Sequence, residues 1–178
     1  RIRLEGKDIT GSSAKQLLTA HGVAFVPQGR NLFGQLSVIE NLELGGITLG
    51  MKTTRERIPE VLELFPRVKE RLHSAAASLS GGEQKQLEVG RALLLRPKVL
   101  LIDEPSLGLS PLLVETMFAL IQRINQDGVS ILLVEQNVVQ SLAIAHRGYV
   151  LENGVIALAG RASELLENPN LKRSYFGI

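Results

Sequence analysis

Cysteine is absent from the 178-residue sequence, and only 4% of its residues are aromatic. Without cysteine there can be neither a disulfide nor a thiolate metal site, and the composition suits a reducing compartment. No apolar run approaches the length of a membrane span, and no stretch reads as a signal peptide. Lysine and arginine form no block, and the net charge of +2 is scattered, so nothing suggests a nucleic-acid partner. The phosphate-cradling pattern G-x-x-x-x-G-K-[ST] does not occur. Its nearest approach, Gly6-Lys7-Asp8, has no earlier glycine at the required spacing and Asp where a hydroxyl belongs, so it reads as a turn. Repeats, linkers and low-complexity segments are also missing. What remains is a globular composition, 44% hydrophobic, long enough for one domain or slightly more.

The informative residues are concentrated between positions 79 and 105. Val99-Leu100-Leu101-Ile102-Asp103 is a short, almost wholly apolar run bounded by Pro97 and Pro105. Its length and lack of alternation predict a strand buried on both faces of a parallel sheet. Asp103 and the adjacent Glu104 would emerge at the C-terminal end of that strand, where open α/β sheets place their ligands. In P-loop hydrolases an acidic residue at such a strand end helps hold Mg²⁺, and a further polar group orients the attacking water. Asp103 then takes the metal and Glu104 the water. An ordinary strand end followed by an acidic helix start would look the same.

Upstream stands Leu79-Ser80-Gly81-Gly82-Glu83-Gln84. Ser80 and Glu83 have the spacing of a capping box, which predicts a helix start with unpaired amides. Gly81 and Gly82 remove side chains there, so an anion could approach the backbone. A capped helix with two glycines kept for packing is the alternative.

Elsewhere the pattern alternates strand and helix. Residues 1–4 read as an edge strand and Glu5-Gly6-Lys7-Asp8 as a turn. Ser12 or Ser13 should cap a short helix ending at His21-Gly22, and Val23–Val26 reads as a core strand leading to Gln28. Residues 31–78 look helical, with capping boxes at Ser37/Glu40 and at Thr53/Glu56. Ile58, Val61, Leu62 and Phe65 fall on one helix face, which Pro66 stops. The helix begun at Ser80 should run to about Leu95, before Arg96-Pro97. Ser110 and Pro111 open another, with Leu113, Met117, Leu120 and Ile124 on one face and Asp127-Gly128 at its end. Ser130–Val134 reads as a buried strand, Asn153-Gly154 as a hairpin turn, and residues 162–176 as terminal helices around Pro169. His21 and His146 read as helix-end or packing residues.

Leu-Ser-Gly-Gly-Glu-Gln at 79–84, followed some twenty residues later by an apolar strand and Asp103-Glu104-Pro105, resembles the nucleotide-binding subunits of ABC transporters. The resemblance covers essentially the whole sequence. It implies an α/β fold of the ABC-type P-loop NTPase class, three layers with a mainly parallel sheet and an inserted helical subdomain. Residues 1–30 would be part of the catalytic core, 31–95 the helical subdomain with the signature, and 96–178 the rest of the core with a C-terminal hairpin and helices. ATP and Mg²⁺ are the implied cofactors. The nucleotide would meet Leu79, Ser80, Gly81, Gly82, Glu83 and Gln84. Gln28, at the Q-loop position, would touch both metal and attacking water; Asp103 would hold the metal and Glu104 would be catalytic. The switch position usually holds histidine; here it is Gln136, which can donate a hydrogen bond but cannot carry a proton. Ser110 replaces the usual acidic residue of the D-loop.

The Val134-Glu135-Gln136-Asn137 variant, with Ser106-Leu107-Gly108-Leu109, resembles the ATP-binding subunits of branched-chain amino-acid importers. This implies ATP hydrolysis coupled to uptake at the cytoplasmic face of the membrane. The implied partners are a second ABC ATPase subunit, in a homo- or heterodimer, transmembrane permease subunits, and indirectly a periplasmic or extracellular binding protein. The family's phosphate loop would precede Arg1, so the chain resembles such a subunit without its first segment and is expected to be inactive alone. Two other classes stay open, a soluble ABC-type ATPase of translation or repair and a non-catalytic module carrying only the signature half-site. About fifty residues separate Gln28 from Leu79 and they carry no sustained heptads, which leaves no room for the coiled coils of the chromosome and repair ATPases.

Overall fold

The computed structural model describes residues 1–29, 31–171 and 173. A small antiparallel hairpin comes first, β1 (Arg3–Leu4) against β2 (Lys7–Asp8). Glu5 and Gly6 both have positive φ, so the reversal takes two residues and Lys7 and Asp8 pair as strand instead of completing the turn. Ser13 starts α1 (Ala14–His21) with a capping box to Gln16, and Gly22 ends it in the left-handed region. β3 (Val23–Val26) follows.

Ser37 and Glu40 form the expected box at the start of α2 (Val38–Gly45). The second expected box does not form. α3 (Met51–Leu62) is entered from Gly50, which leaves Thr53 inside the helix. The neighbouring Thr54 supplies the reason. It is fully buried, and its hydroxyl donates to Gly46 O at 2.7 Å and Gly50 O at 2.9 Å, fastening the preceding turn to the helix start. A tertiary anchor outweighs a local cap here. Ile58, Val61, Leu62 and Phe65 are buried as their spacing predicts. Pro66 does more than stop the pattern: it occupies the first turn of α4 (Pro66–Lys69), where its missing N–H leaves no bond unmade.

Ser80 and Glu83 begin α5 (Gly81–Leu93) with a complete capping box. β4 (Val99–Asp103), α6 (Pro111–Gln126) and β5 (Ser130–Val134) complete the alternation. Ser110 occupies the cap position of α6, yet its hydroxyl makes no capping bond. Met117, Leu120 and Ile124 are buried on the expected face, joined by Phe118 and Ile121.

β3, β4 and β5 form one parallel sheet with β4 in the middle. Ala24, Val26, Leu100 and Ile102 share one face and are at most 2% exposed. The opposite face carries Phe25, Leu132 and Val134, exposed by 57%, 58% and 53%. The expectation of buried strands is therefore corrected for β5 and for Phe25 of β3, whereas on β4 the second face, Val99, Leu101 and Asp103, is half-buried. An unbroken apolar run specifies two apolar faces, but it does not say what lies over them. Among the described residues one face is fully covered along β3 and β4 and the other only in part.

The chain divides into two compact units, residues 1–134 and 135–178. The helical stretch and the strands on either side of it belong to the first. The second contains α7 (Val138–Ile144), whose start is capped by the Asn137 side chain and which the sequence pattern did not reveal. β6 (Arg147–Glu152) and β7 (Val155–Arg161) follow as the expected hairpin, turning at Asn153 and Gly154 with φ of 49° and 80°. After α8 (Ala162–Leu166) and α9 (Pro169–Leu171), the part of the expected terminal helices at 172 and 174–176 lies outside the described residues. Leu142, Ala162, Leu165 and Leu171 form the core of this unit.

Candidate functional site

Because β3 and β4 are adjacent and parallel, the chain leaves both at the same edge of the sheet. Gln28 lies two residues beyond β3, and Asp103 and Glu104 lie at the end of β4. Glu104 keeps its backbone in the ladder, its N–H donating to Val134 O at 2.9 Å, but turns with a φ of 42°. A left-handed glutamate is uncommon, and such conformations persist where surrounding structure enforces them. Gln28 Nε2 donates to Glu104 Oε2 at 2.6 Å. The fold thus brings Gln28 to Glu104, which lies far from it in sequence, while Asp103 and Glu104 are neighbours in the chain and both half-buried.

The six signature residues divide by what they touch. Ser80 is exposed; its N–H donates to Glu83 Oε2 at 2.8 Å and its hydroxyl accepts the Glu83 N–H at 3.3 Å. Gly81 is open, and a Cβ there would meet only Leu109 Cδ2 at 3.9 Å. Gly82 is buried, and a Cβ would come within 3.0 Å of both Leu113 methyls. Its missing side chain serves the contact between α5 and α6. Leu79 and Gln84 face the interior, and Gln84 Nε2 donates to Leu79 O at 3.0 Å and Ala76 O at 3.3 Å. Ser80 and Gly81 form the presented surface, while the other four build and hold the helix start.

Gln136 belongs to the second unit. Its side chain is exposed, its N–H donates to Glu135 Oε2 at 3.2 Å, and its carbonyl accepts from Val138 where α7 begins. Sequence reasoning passed over Lys85, Glu88 and Arg91, three charged residues of α5 that point inward or are half-buried. Their signal was available: ionisable residues at i, i+3 and i+6 on a helix otherwise lined with buried apolar side chains.

No cluster of three or more His, Asp or Glu among the described residues could hold a metal alone. Mg²⁺ does not need one, since it is commonly held by one or two carboxylates together with substrate phosphates and water. Asp103, half-buried at the strand end and next to the Gln28–Glu104 pair, fits that mode.

A parallel α/β sheet with acidic residues at its C-terminal edge, interrupted by a helical stretch with a bared, capped helix start, defines a nucleotide-binding cassette of the P-loop NTPase class. The ABC transporter family profile matches residues 1–107, and the chain belongs to that family as an ATPase subunit. The high-affinity branched-chain amino acid transport ATP-binding protein BraG of Pseudomonas aeruginosa is 44% identical over 176 residues, covering 99% of this chain and 75% of BraG. The lipopolysaccharide export system ATP-binding protein LptB of Escherichia coli is 32% identical over 159 residues, covering 88% of this chain and 66% of LptB. The crystal structure of the ADP conformation of an ATP-binding cassette of an ABC transporter matches with a TM-score of 0.83 at 27% identity, over 98% of this chain and 75% of that one.

Proposed function

We propose that the subunit to which this chain belongs hydrolyses ATP within an ABC importer and energises the uptake of branched-chain amino acids. The observation that carries the catalytic reading is the Gln28–Glu104 hydrogen bond at the sheet edge, 2.6 Å long. Glu104 positions the attacking water and accepts its proton, and the Gln28 amide orients the carboxylate that does so. Asp103 would hold Mg²⁺ together with the phosphates, and the ion would neutralise charge developing on them. Ser80 and Gly81 face the nucleotide of a second cassette in a head-to-tail pair, where unpaired amides at a helix start favour phosphate. ATP touching both subunits favours the closed pair by its differential affinity for that state. The switch position that the family resemblance gives to Gln136 holds a side chain able to donate a hydrogen bond but not to carry a proton.

The cargo assignment rests on different support. BraG carries branched-chain amino acid transport in its name, and the match to it is closer and longer than the match to the lipopolysaccharide export protein. The Val134-Glu135-Gln136-Asn137 sequence points the same way. In the assembled transporter, permease subunits would meet the helical stretch between α2 and α4, placing the cassette at the cytoplasmic face of the membrane. No helix among the described residues is long and apolar enough to cross the bilayer. The test is uptake by the assembled transporter in proteoliposomes. ATP-dependent accumulation of leucine, isoleucine or valine supports the reading, and robust hydrolysis without accumulation of any of the three removes the cargo assignment.

A further inference from the structure

One face of α5 carries a buried charge network whose partners lie on the loop that contains Gln28. Lys85 and Glu88 are 9% and 6% exposed, among the few buried polar or charged side chains described. Glu88 Oε1 accepts the Asn31 N–H at 2.6 Å. Glu88 Oε2 has the Lys85 ammonium at 2.6 Å and no other partner among the described residues. The same ammonium donates to Gly29 O at 3.0 Å and Pro27 O at 3.4 Å. One turn further on, Arg91 donates to Asn31 O at 2.6 Å, and its guanidinium lies 5.5 Å from the centre of the Phe33 ring. Pro27, Gly29 and Asn31 are therefore gripped at four backbone groups by the helix that starts at Ser80.

The grip is costly in isolation. Two charges taken out of water are compensated only if each keeps its partners, so a buried ion pair is weak evidence for stability and stronger evidence for a fixed geometry. Here the geometry it fixes is that of Gln28, which sits between the gripped Pro27 and Gly29 and contacts Glu104. We propose that Lys85 and Glu88 are positioning residues for hydrolysis: they lock the Gln28 loop to the signature helix, so that the water-orienting edge and the Ser80 helix start move as one body. Neither touches the reacting atoms. The inference rests on the catalytic reading of Gln28 and Glu104 given above.

The decisive variant is the double substitution Lys85→Met/Glu88→Leu, made in the assembled transporter. Replacing both charges by apolar side chains of similar size is often neutral for stability, whereas removing one leaves the other buried and unpaired. The expected result is a melting temperature close to the parent's, KM for ATP nearly unchanged, and kcat lowered about tenfold, since small misplacements remote from the chemistry can cost that much or more. Parental kcat would overturn the proposal, and so would a loss of kcat that scales only with loss of folded protein. Should the double variant fail to fold, Glu88→Gln keeps the size and the acceptor for Asn31 while discharging Lys85's partner. A fall in kcat with KM retained then supports the proposal, and an unchanged kcat overturns it. Glu104→Gln in the same preparation separates the two layers. If Glu104→Gln is inactive while Lys85→Met/Glu88→Leu turns over normally, only the positioning role is lost. If Glu104→Gln itself turns over normally, the catalytic reading falls and this inference falls with it.

Discussion

Gln28 donates to Glu104 across 2.6 Å although 76 positions separate them in sequence. Adjacent parallel strands that end together bring the two side chains to one place. The bond leaves the carboxylate oriented by an amide that cannot itself take a proton, so of this pair only Glu104 can act as a base.

Glu104→Gln should therefore lower hydrolysis by roughly 10²–10⁴, the usual contribution of a positioned general base. ATP binding and ATP-driven pairing of cassettes should persist, because the amide is nearly isosteric and the φ of 42° at this residue is unaffected. Steady-state ATPase of the assembled transporter, with nucleotide retention measured in parallel, checks both halves. Turnover near the parent's would remove Glu104 from the role.

The elements that could be read from sequence were those with a local cause. Ser37 with Glu40 and Ser80 with Glu83 mark helix starts by side chains three residues apart, and both boxes form. Asn153-Gly154 needs only its own two positive φ values. Thr53 with Glu56 has the same spacing and fails, because Thr54 is anchored to Gly46 and Gly50 by tertiary bonds that no local pattern announces. Coverage of the sheet was illegible for a similar reason. Phe25 and Leu132 are as apolar as Ala24 and Leu100, and only the packing of other elements decides which pair is buried. At the site, the acidic strand end and the signature were legible as motifs. That Gln84 is tied to Leu79 O, and Gly82 packed on Leu113, required the fold.

The two signature glycines should behave differently. Gly82→Ala places a Cβ only 3.0 Å from both Leu113 methyls, which must give way, and overpacking typically costs roughly 1–3 kcal/mol. Gly81→Ala meets nothing closer than 3.9 Å. Denaturant melts should show a loss for Gly82→Ala that Leu113→Ala partly relieves, and little change for Gly81→Ala. An alanine at 81 that destabilises as much as one at 82 would contradict the division.

Acid should weaken the cap of α2. The Ser37 hydroxyl, and then its backbone N–H, hold the Glu40 carboxyl below its ordinary range. A depressed folded pKa contributes stability above the unfolded value and loses it as pH falls through the folded one. Glu40→Gln keeps an acceptor at every pH. The parent's advantage over Glu40→Gln should therefore be present at pH 7 and fade on the acid side of the ordinary carboxylate range. Urea melts of both proteins at several pH values measure it, and a gap that widened toward acid would reverse the assignment.

Asn41 gives the sharpest test of the helical stretch. It is fully buried, accepts the Phe33 N–H at 3.0 Å, and donates to Phe33 O, Ser37 O and Leu36 O at 3.0, 3.0 and 3.3 Å. The three carbonyls each have another donor, from Leu36, Asn41 and Ala76 backbone N–H groups, so Asn41→Ala orphans chiefly the Phe33 N–H. That should cost about 1–3 kcal/mol. Asn41→Asp keeps the acceptor yet turns a buried carboxylate toward three carbonyl oxygens, so at neutral pH it should be at least as destabilising as Asn41→Ala. Burial and the carbonyls would raise the folded pKa of the new carboxyl above its unfolded value. Its relative stability is then greatest below the unfolded pKa and falls as pH rises through the folded one. Asn41→Asp should therefore gain on Asn41→Ala in acid, where the protonated carboxyl can donate to one of those carbonyls. Chemical melts of the two variants at pH 4 and pH 7 decide it, and an aspartate that improved with rising pH would show that residue 41 does not face the acceptors assigned to it.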